Sequence, residues 1–109
     1  MKRYALALDL QDNPDLIKEY DEYHRAVWPD VINSIRDSGI LSMVIYRFSN
    51  RLFMVMDVGD DFSFEKKGEM DANNEKVQEW ETLMWKYQRA MPGSRPGEKW
   101  VIMDKIFEL

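Results

Sequence analysis

At 109 residues, with 45% hydrophobic and 32% charged side chains, the chain has the composition of one small globular domain spanning 1–109. A net charge of −5 with no basic stripe excludes phosphate-backbone binding, so no nucleic-acid partner is expected. The absence of cysteine removes disulfide and thiolate chemistry and fits a cytoplasmic location. No apolar run has the length of a membrane span, and the N-terminus lacks a signal-peptide pattern, so no membrane partner is expected either.

"RYALALDL" places Tyr4, Leu6, Leu8 and Leu10 on one face and Ala5, Ala7 and Asp9 on the other, the period of a strand. "DNPD" then opens a helix, with Asn13 as N-cap and Pro14 at the first helical position. Leu16, Tyr20, His24 and Val27 fall on one helical stripe, which Pro29 ends or kinks. "PDVINSIRDSG" restarts a helix with Val31, Ile32 and Ile35 inward and Gly39 as the residue that closes it.

"LSMVIYRFSNRLFMVMDVG" reads as a hairpin turning around Ser49, Asn50 and Arg51. A broken helical region follows, with Asp60, Asp61 and Asn73 or Asn74 available as caps. "PGSRPGE" is a loop, and "KWVIMDKIFEL" supplies a closing strand. The order βαββαβ predicts an α+β, ferredoxin-like fold: a four-stranded antiparallel sheet with helices on one face. The strands are apolar enough that the open face needs a cover, which predicts a two-fold homodimer.

His24 is the only histidine, four residues after Tyr20 and therefore stacked with it on a helix. An imidazole exchanges a proton near neutral pH, and a phenol beside it can donate a hydrogen bond without ionising. Against this stands a packing role for His24, the ordinary one for a lone histidine on an apolar helix face. Trp28 is a core anchor or a pocket wall. Trp80, Met84, Tyr87 and Met91 share helical spacing, usual for a core, yet an indole also stacks on the carbon face of a sugar. Glu81, next to Trp80, is a candidate polar group for a hydroxyl, against its ordinary role as a solvated helix glutamate. One histidine, no cysteine and no calcium-loop spacing leave no metal site to propose.

Together these residues resemble the L-rhamnose mutarotase family over nearly the whole chain. The resemblance rests on "EYDEYHRAVWPDV", which matches a Tyr-x-x-x-His-x-x-x-Trp-Pro pattern at Tyr20, His24, Trp28 and Pro29. The "IYR…NRLFMVMDV" hairpin, the "VQEW" helix and the terminal "KIFEL" follow in the family's order. It implies a dimeric α/β barrel and a cofactor-free aldose 1-epimerase acting on a monosaccharide. His24 corresponds to the proton donor, Tyr20 to a sugar-binding tyrosine, and Trp80 to the first of a tryptophan pair lining the pocket. Two positions depart from the family: Glu81 replaces the second tryptophan, and Met43 replaces a tyrosine before "IY". Both positions are expected to touch the sugar, so L-fucose competes with L-rhamnose as the substrate.

The implied chemistry is acid–base opening and closing of the pyranose ring. His24 acts as an imidazolium on the ring oxygen, Tyr20 orients, and Trp80 and Trp28 form apolar walls. The base is open between a water, Glu81, Asp9 and a residue of a partner subunit. Two rival readings share the fold: a small monooxygenase or haem-binding protein, and a non-catalytic sugar-binding dimer.

Overall fold

Alternation along the first strand sets the two faces of the sheet. β1 (Lys2–Leu10) runs antiparallel to β3 (Arg51–Val58), with Leu6 opposite Met54 and Leu8 opposite Leu52. Side chains alternate across the pleat, so Tyr4, Leu6, Leu8 and Leu10 share one face with Leu52, Met54, Met56 and Val58. That face is the core side: Leu8 and Leu10 are wholly buried, and each such side chain contributes about 1.5–3 kcal/mol of transfer free energy. β2 (Ile40–Phe48) joins β3 through a tight turn at Ser49 and Asn50, where Ser49 takes a left-handed φ of 55°.

In this computed structural model, which describes residues 1–109, the strand order is β2-β3-β1. The outer edge of β1 is shared by two short strands, β4 (Gln88–Arg89) and β5 (Val101–Ile102), both antiparallel to it. The closing strand expected over residues 99–109 is thus reduced to Val101–Ile102, and Gln88–Arg89, expected in a helix, form the other short strand; residues 90–100 leave the sheet between them. Beyond Met103, whose N–H donates to the Ala5 carbonyl, the tail forms no ladder, and Ile106 and Phe107 are exposed.

Two helices make up each crossover. α1 (Pro14–Tyr23) and α2 (Pro29–Asp37) connect β1 to β2, and α3 (Phe64–Ala72) and α4 (Glu75–Trp85) connect β3 to β4. Asn13 caps α1 as expected, accepting from the Asp15 and Leu16 N–H groups. Pro29 opens α2, and Gly39 follows its end at a φ of 98°. The result is the ferredoxin-like βαββαβ plan with an antiparallel sheet. No helix is long and apolar enough to cross a membrane.

Two local expectations are corrected, and one is narrowed. α3 is capped by Ser63, whose side chain accepts from the Lys66 N–H, rather than by Asp60 or Asp61; Asp60 pairs instead with the N-terminal ammonium. Of the two asparagines, Asn74 caps α4 while Asn73 ends α3. Finally, α4 stops at Trp85, so Tyr87 and Met91 do not continue its stripe. A turn in which the Tyr87 N–H donates to the Met84 carbonyl drops Tyr87 into the core and delivers Gln88 to the edge of β1.

The opposite face of the sheet carries Ala5, Ala7, Val44, Tyr46, Phe53 and Asp9. Asp9 is buried between its cross-strand neighbours Arg51 and Arg89. Arg51 grips it with two hydrogen bonds of 2.8 and 3.2 Å.

Candidate active site

The last turn of α1 places Tyr20 and His24 side by side, with ring centroids 4.3 Å apart. Helical spacing brings them together, and His24, the C-cap of α1, keeps helical geometry with its N–H on the Tyr20 carbonyl. His24 Nδ1 lies 2.8 Å from the Tyr20 carbonyl oxygen. A carbonyl only accepts, so Nδ1 carries the hydrogen of the neutral ring and Nε2 is the nitrogen left for a ligand. Burial pushes the His24 pKa below its ordinary value, outweighing the Tyr20 carbonyl and the Asp21 carboxylate, which pull it up. The resting imidazole is neutral at physiological pH.

Tyr20 is 2% exposed. Burial pushes its hydroxyl up to about 12, against the opposing effect of Gln88, so it stays a neutral phenol. Gln88 Nε2 donates to the Tyr20 hydroxyl at 3.5 Å, which leaves the phenolic O–H free to donate elsewhere.

Both residues line a cavity of about 790 Å³ between the core face of the sheet and the helices. Trp80, from α4, sets its edge against the His24 ring at 5.6 Å and 66°. Met43, Ile45 and Met54 supply apolar floor from β2 and β3. Ser34, Lys67 and Asp71 add a second polar group, in which both the Ser34 hydroxyl and the Lys67 ammonium donate to the Asp71 carboxylate.

The structure brings Tyr20, His24, Trp80 and Glu81 to one cavity. Glu81 is engaged there: Lys99 Nζ donates to its carboxylate and to its main-chain carbonyl, both at 3.1 Å. Trp28 is not among the lining residues; it backs Trp80, ring to ring, at 5.1 Å. Asp9 lies on the opposite face of the sheet, away from His24. Gln88, Lys99 and Trp100 line the cavity although no sequence pattern marked them. They arrive through the paired edge of β1 and the excursion of residues 90–100, contacts of long sequence separation that no local period reports. No group of three or more His, Cys, Asp or Glu side chains is placed to hold a metal ion.

Residues 3–109 match the family model of L-rhamnose mutarotase. The chain belongs to the L-rhamnose mutarotase family. It is 44% identical to an L-fucose mutarotase of Xanthomonas campestris pv. campestris, over all of this chain and 89% of that one. It is 31% identical to an L-rhamnose mutarotase of Klebsiella pneumoniae, over 83% of this chain and 81% of that one. The crystal structure of an L-rhamnose mutarotase from Formosa agariphila shares the fold, with a TM-score of 0.73 and 22% identity, over all of this chain and 99% of the other.

Proposed function

We propose that this family member interconverts the α and β anomers of a 6-deoxy-L-hexose, with L-fucose preferred over L-rhamnose, and that His24 moves the proton. One observation carries the site reading. Inside the cavity, the single histidine is held through Nδ1, which leaves Nε2 as the ring nitrogen open to a ligand. The sugar preference is supported by the higher identity to the L-fucose mutarotase and by Met43 and Glu81, which both line the cavity.

Ring opening moves one proton from the anomeric oxygen O1 to the ring oxygen O5, and both oxygens are bonded to C1. A neutral imidazole takes the O1 proton, the C1–O5 bond breaks as C1=O forms, and the same imidazolium protonates the departing O5. After rotation about C1–C2, Nε2 takes the O5 proton back, O5 adds to the other face of the aldehyde, and O1 is reprotonated. One imidazole thus serves as base and then as acid, and the low His24 pKa favours starting from the neutral ring. The free O–H of Tyr20 is available to O1 as charge develops on it. Trp80 walls the apolar face of the sugar.

We infer further that two copies pair through the open face of the sheet, where Val44, Tyr46 and Phe53 remain exposed. In this reading residues 1–109 act as a single mutarotase-like domain, in the cytoplasm and without a cofactor. Saturation-transfer NMR of the anomeric protons of both sugars tests the function. Wild-type protein is expected to accelerate exchange, more for L-fucose, and His24→Ala to leave it at the solution rate. A folded His24→Ala protein that still accelerates exchange would remove His24 from the mechanism.

A further inference from the structure

Nothing in the proton transfer uses Gln88, yet this side chain sits in the same cavity and is 5% exposed. Its amide nitrogen touches the Tyr20 hydroxyl at 3.5 Å, while Oε1 is buried with no hydrogen-bond partner. Such an orphaned acceptor costs free energy that a ligand hydroxyl recovers. Rotating the amide exchanges its two ends but leaves one of them unpartnered either way. The backbone beneath it is fixed: Gln88 pairs with Leu10, and its carbonyl accepts from Gln11 Nε2 at 3.1 Å. Only the terminal amide, whose last torsion is broad, is free to adjust.

We propose that Gln88 is a specificity-determining residue whose amide hydrogen-bonds the C2 hydroxyl of the sugar. The inference rests on the mutarotase reading, because that reading places the reacting centre. O1 and O5 must come within about 2.6–3.2 Å of His24 Nε2 for proton transfer. Tyr20 lies against His24, and the Gln88 amide lies against the Tyr20 hydroxyl, so a sugar reacting at Nε2 would bring the neighbours of its C1–O5 bond toward Gln88. In a 6-deoxyhexose those neighbours are C2, which bears a hydroxyl, and C5, which bears a methyl group. Only C2 offers an amide something to bind. A hydroxyl both donates and accepts, so it suits whichever end of the amide is free. C2 is also one of the two centres at which L-fucose and L-rhamnose differ. The same amide therefore contributes to telling them apart.

The test compares L-fucose with 2-deoxy-L-fucose by anomeric exchange, each relative to its own solution rate. Wild-type protein is expected to show roughly tenfold lower kcat/KM on the 2-deoxy sugar, the worth of one buried hydrogen bond. Gln88→Met is expected to fall roughly tenfold on L-fucose and to treat the two sugars alike. If wild-type protein accelerates both sugars equally, the Gln88 proposal is overturned and the mutarotase reading stands. If Gln88→Met loses the same factor on both, its role is packing and the proposal is likewise overturned. Absence of acceleration on either sugar by wild-type protein overturns the mutarotase reading itself, and the role of Gln88 with it.

Discussion

His24 Nδ1 donates to the carbonyl of Tyr20 at 2.8 Å, and the phenol of that same Tyr20 lies 4.3 Å from the imidazole, centroid to centroid. One residue therefore acts on the histidine twice. Its backbone fixes the tautomer, and its side chain packs against the imidazole as a neutral phenol.

The first prediction concerns pH. The folded His24 pKa lies below the ordinary 6.5 because burial disfavours the charged ring. If neutral His24 starts the reaction as proposed, exchange is flat above pH 6.5 and falls on acidification with an apparent pKa below 6.5. Stability follows the same sign. The unfolded chain takes up this proton first, so the contribution is whole above 6.5 and is lost as pH falls through the folded pKa. Thermal midpoints of wild type and His24→Gln, measured from pH 8 to pH 5, should show wild type losing stability more steeply. An exchange rate that rises on acidification would contradict the neutral starting state.

Tyr20→Phe separates the two services that Tyr20 performs. The backbone carbonyl and the ring packing survive, while the O–H is lost. Exchange is expected to fall roughly 10²-fold, the scale for removing one donor to a developing oxyanion. The acid limb of the pH profile should stay close to its wild-type position, because the Tyr20 carbonyl still holds Nδ1. A variant with unchanged exchange would show that the phenol only packs.

The legible and illegible parts of this molecule divide by sequence separation. Tyr20 and His24 are four residues apart, and the two-residue period of β1 reports which face is core, so local pattern reveals both. The caps at Asn13 and Pro14 are equally local. Two aspartates precede Ser63 and are equally good caps by residue type, and only the geometry shows Asp60 drawn to the N-terminal ammonium. Gln88 and Trp100 have no local signal for a different reason. Helical spacing through Trp80, Met84, Tyr87 and Met91 runs past the true end of α4, and what breaks it is pairing with β1, a partner some eighty residues away. The loop at "PGSRPGE" is legible from its prolines and glycines, but its delivery of Lys99 and Trp100 to the cavity has no periodic signature.

Trp80 and Trp28 should respond differently to substitution. Trp80 is 8% exposed and touches His24, Tyr23 and Trp28, so Trp80→Ala is expected to cost about 3–5 kcal/mol of stability. Trp80→Phe keeps an aromatic wall and isolates the binding effect, which should appear mainly in KM. Trp28→Phe acts through Trp80 alone and is expected to leave exchange near the wild-type rate. Denaturant titration and exchange kinetics on the three variants check the ordering. A Trp28→Phe protein of normal stability but weakened sugar binding would place Trp28 against the sugar after all.

The open face of the sheet yields the last prediction. Val44, Tyr46 and Phe53 are 44%, 60% and 38% exposed there, next to the small side chains of Ala5 and Ala7. A two-fold pairing through this face meets itself, so a charge introduced once per chain appears twice in the interface. Tyr46→Glu is therefore expected to sediment as a single chain at concentrations where wild type sediments as a dimer. Two charges brought together in an apolar contact cost more than the lost tyrosine surface alone. The cavity is built from one chain and lies on the other side of the sheet, so the monomeric variant should retain anomer exchange per folded molecule. Wild-type protein that sediments as a single chain would sink the pairing. A folded Tyr46→Glu monomer without activity would mean that the partner copy completes the site.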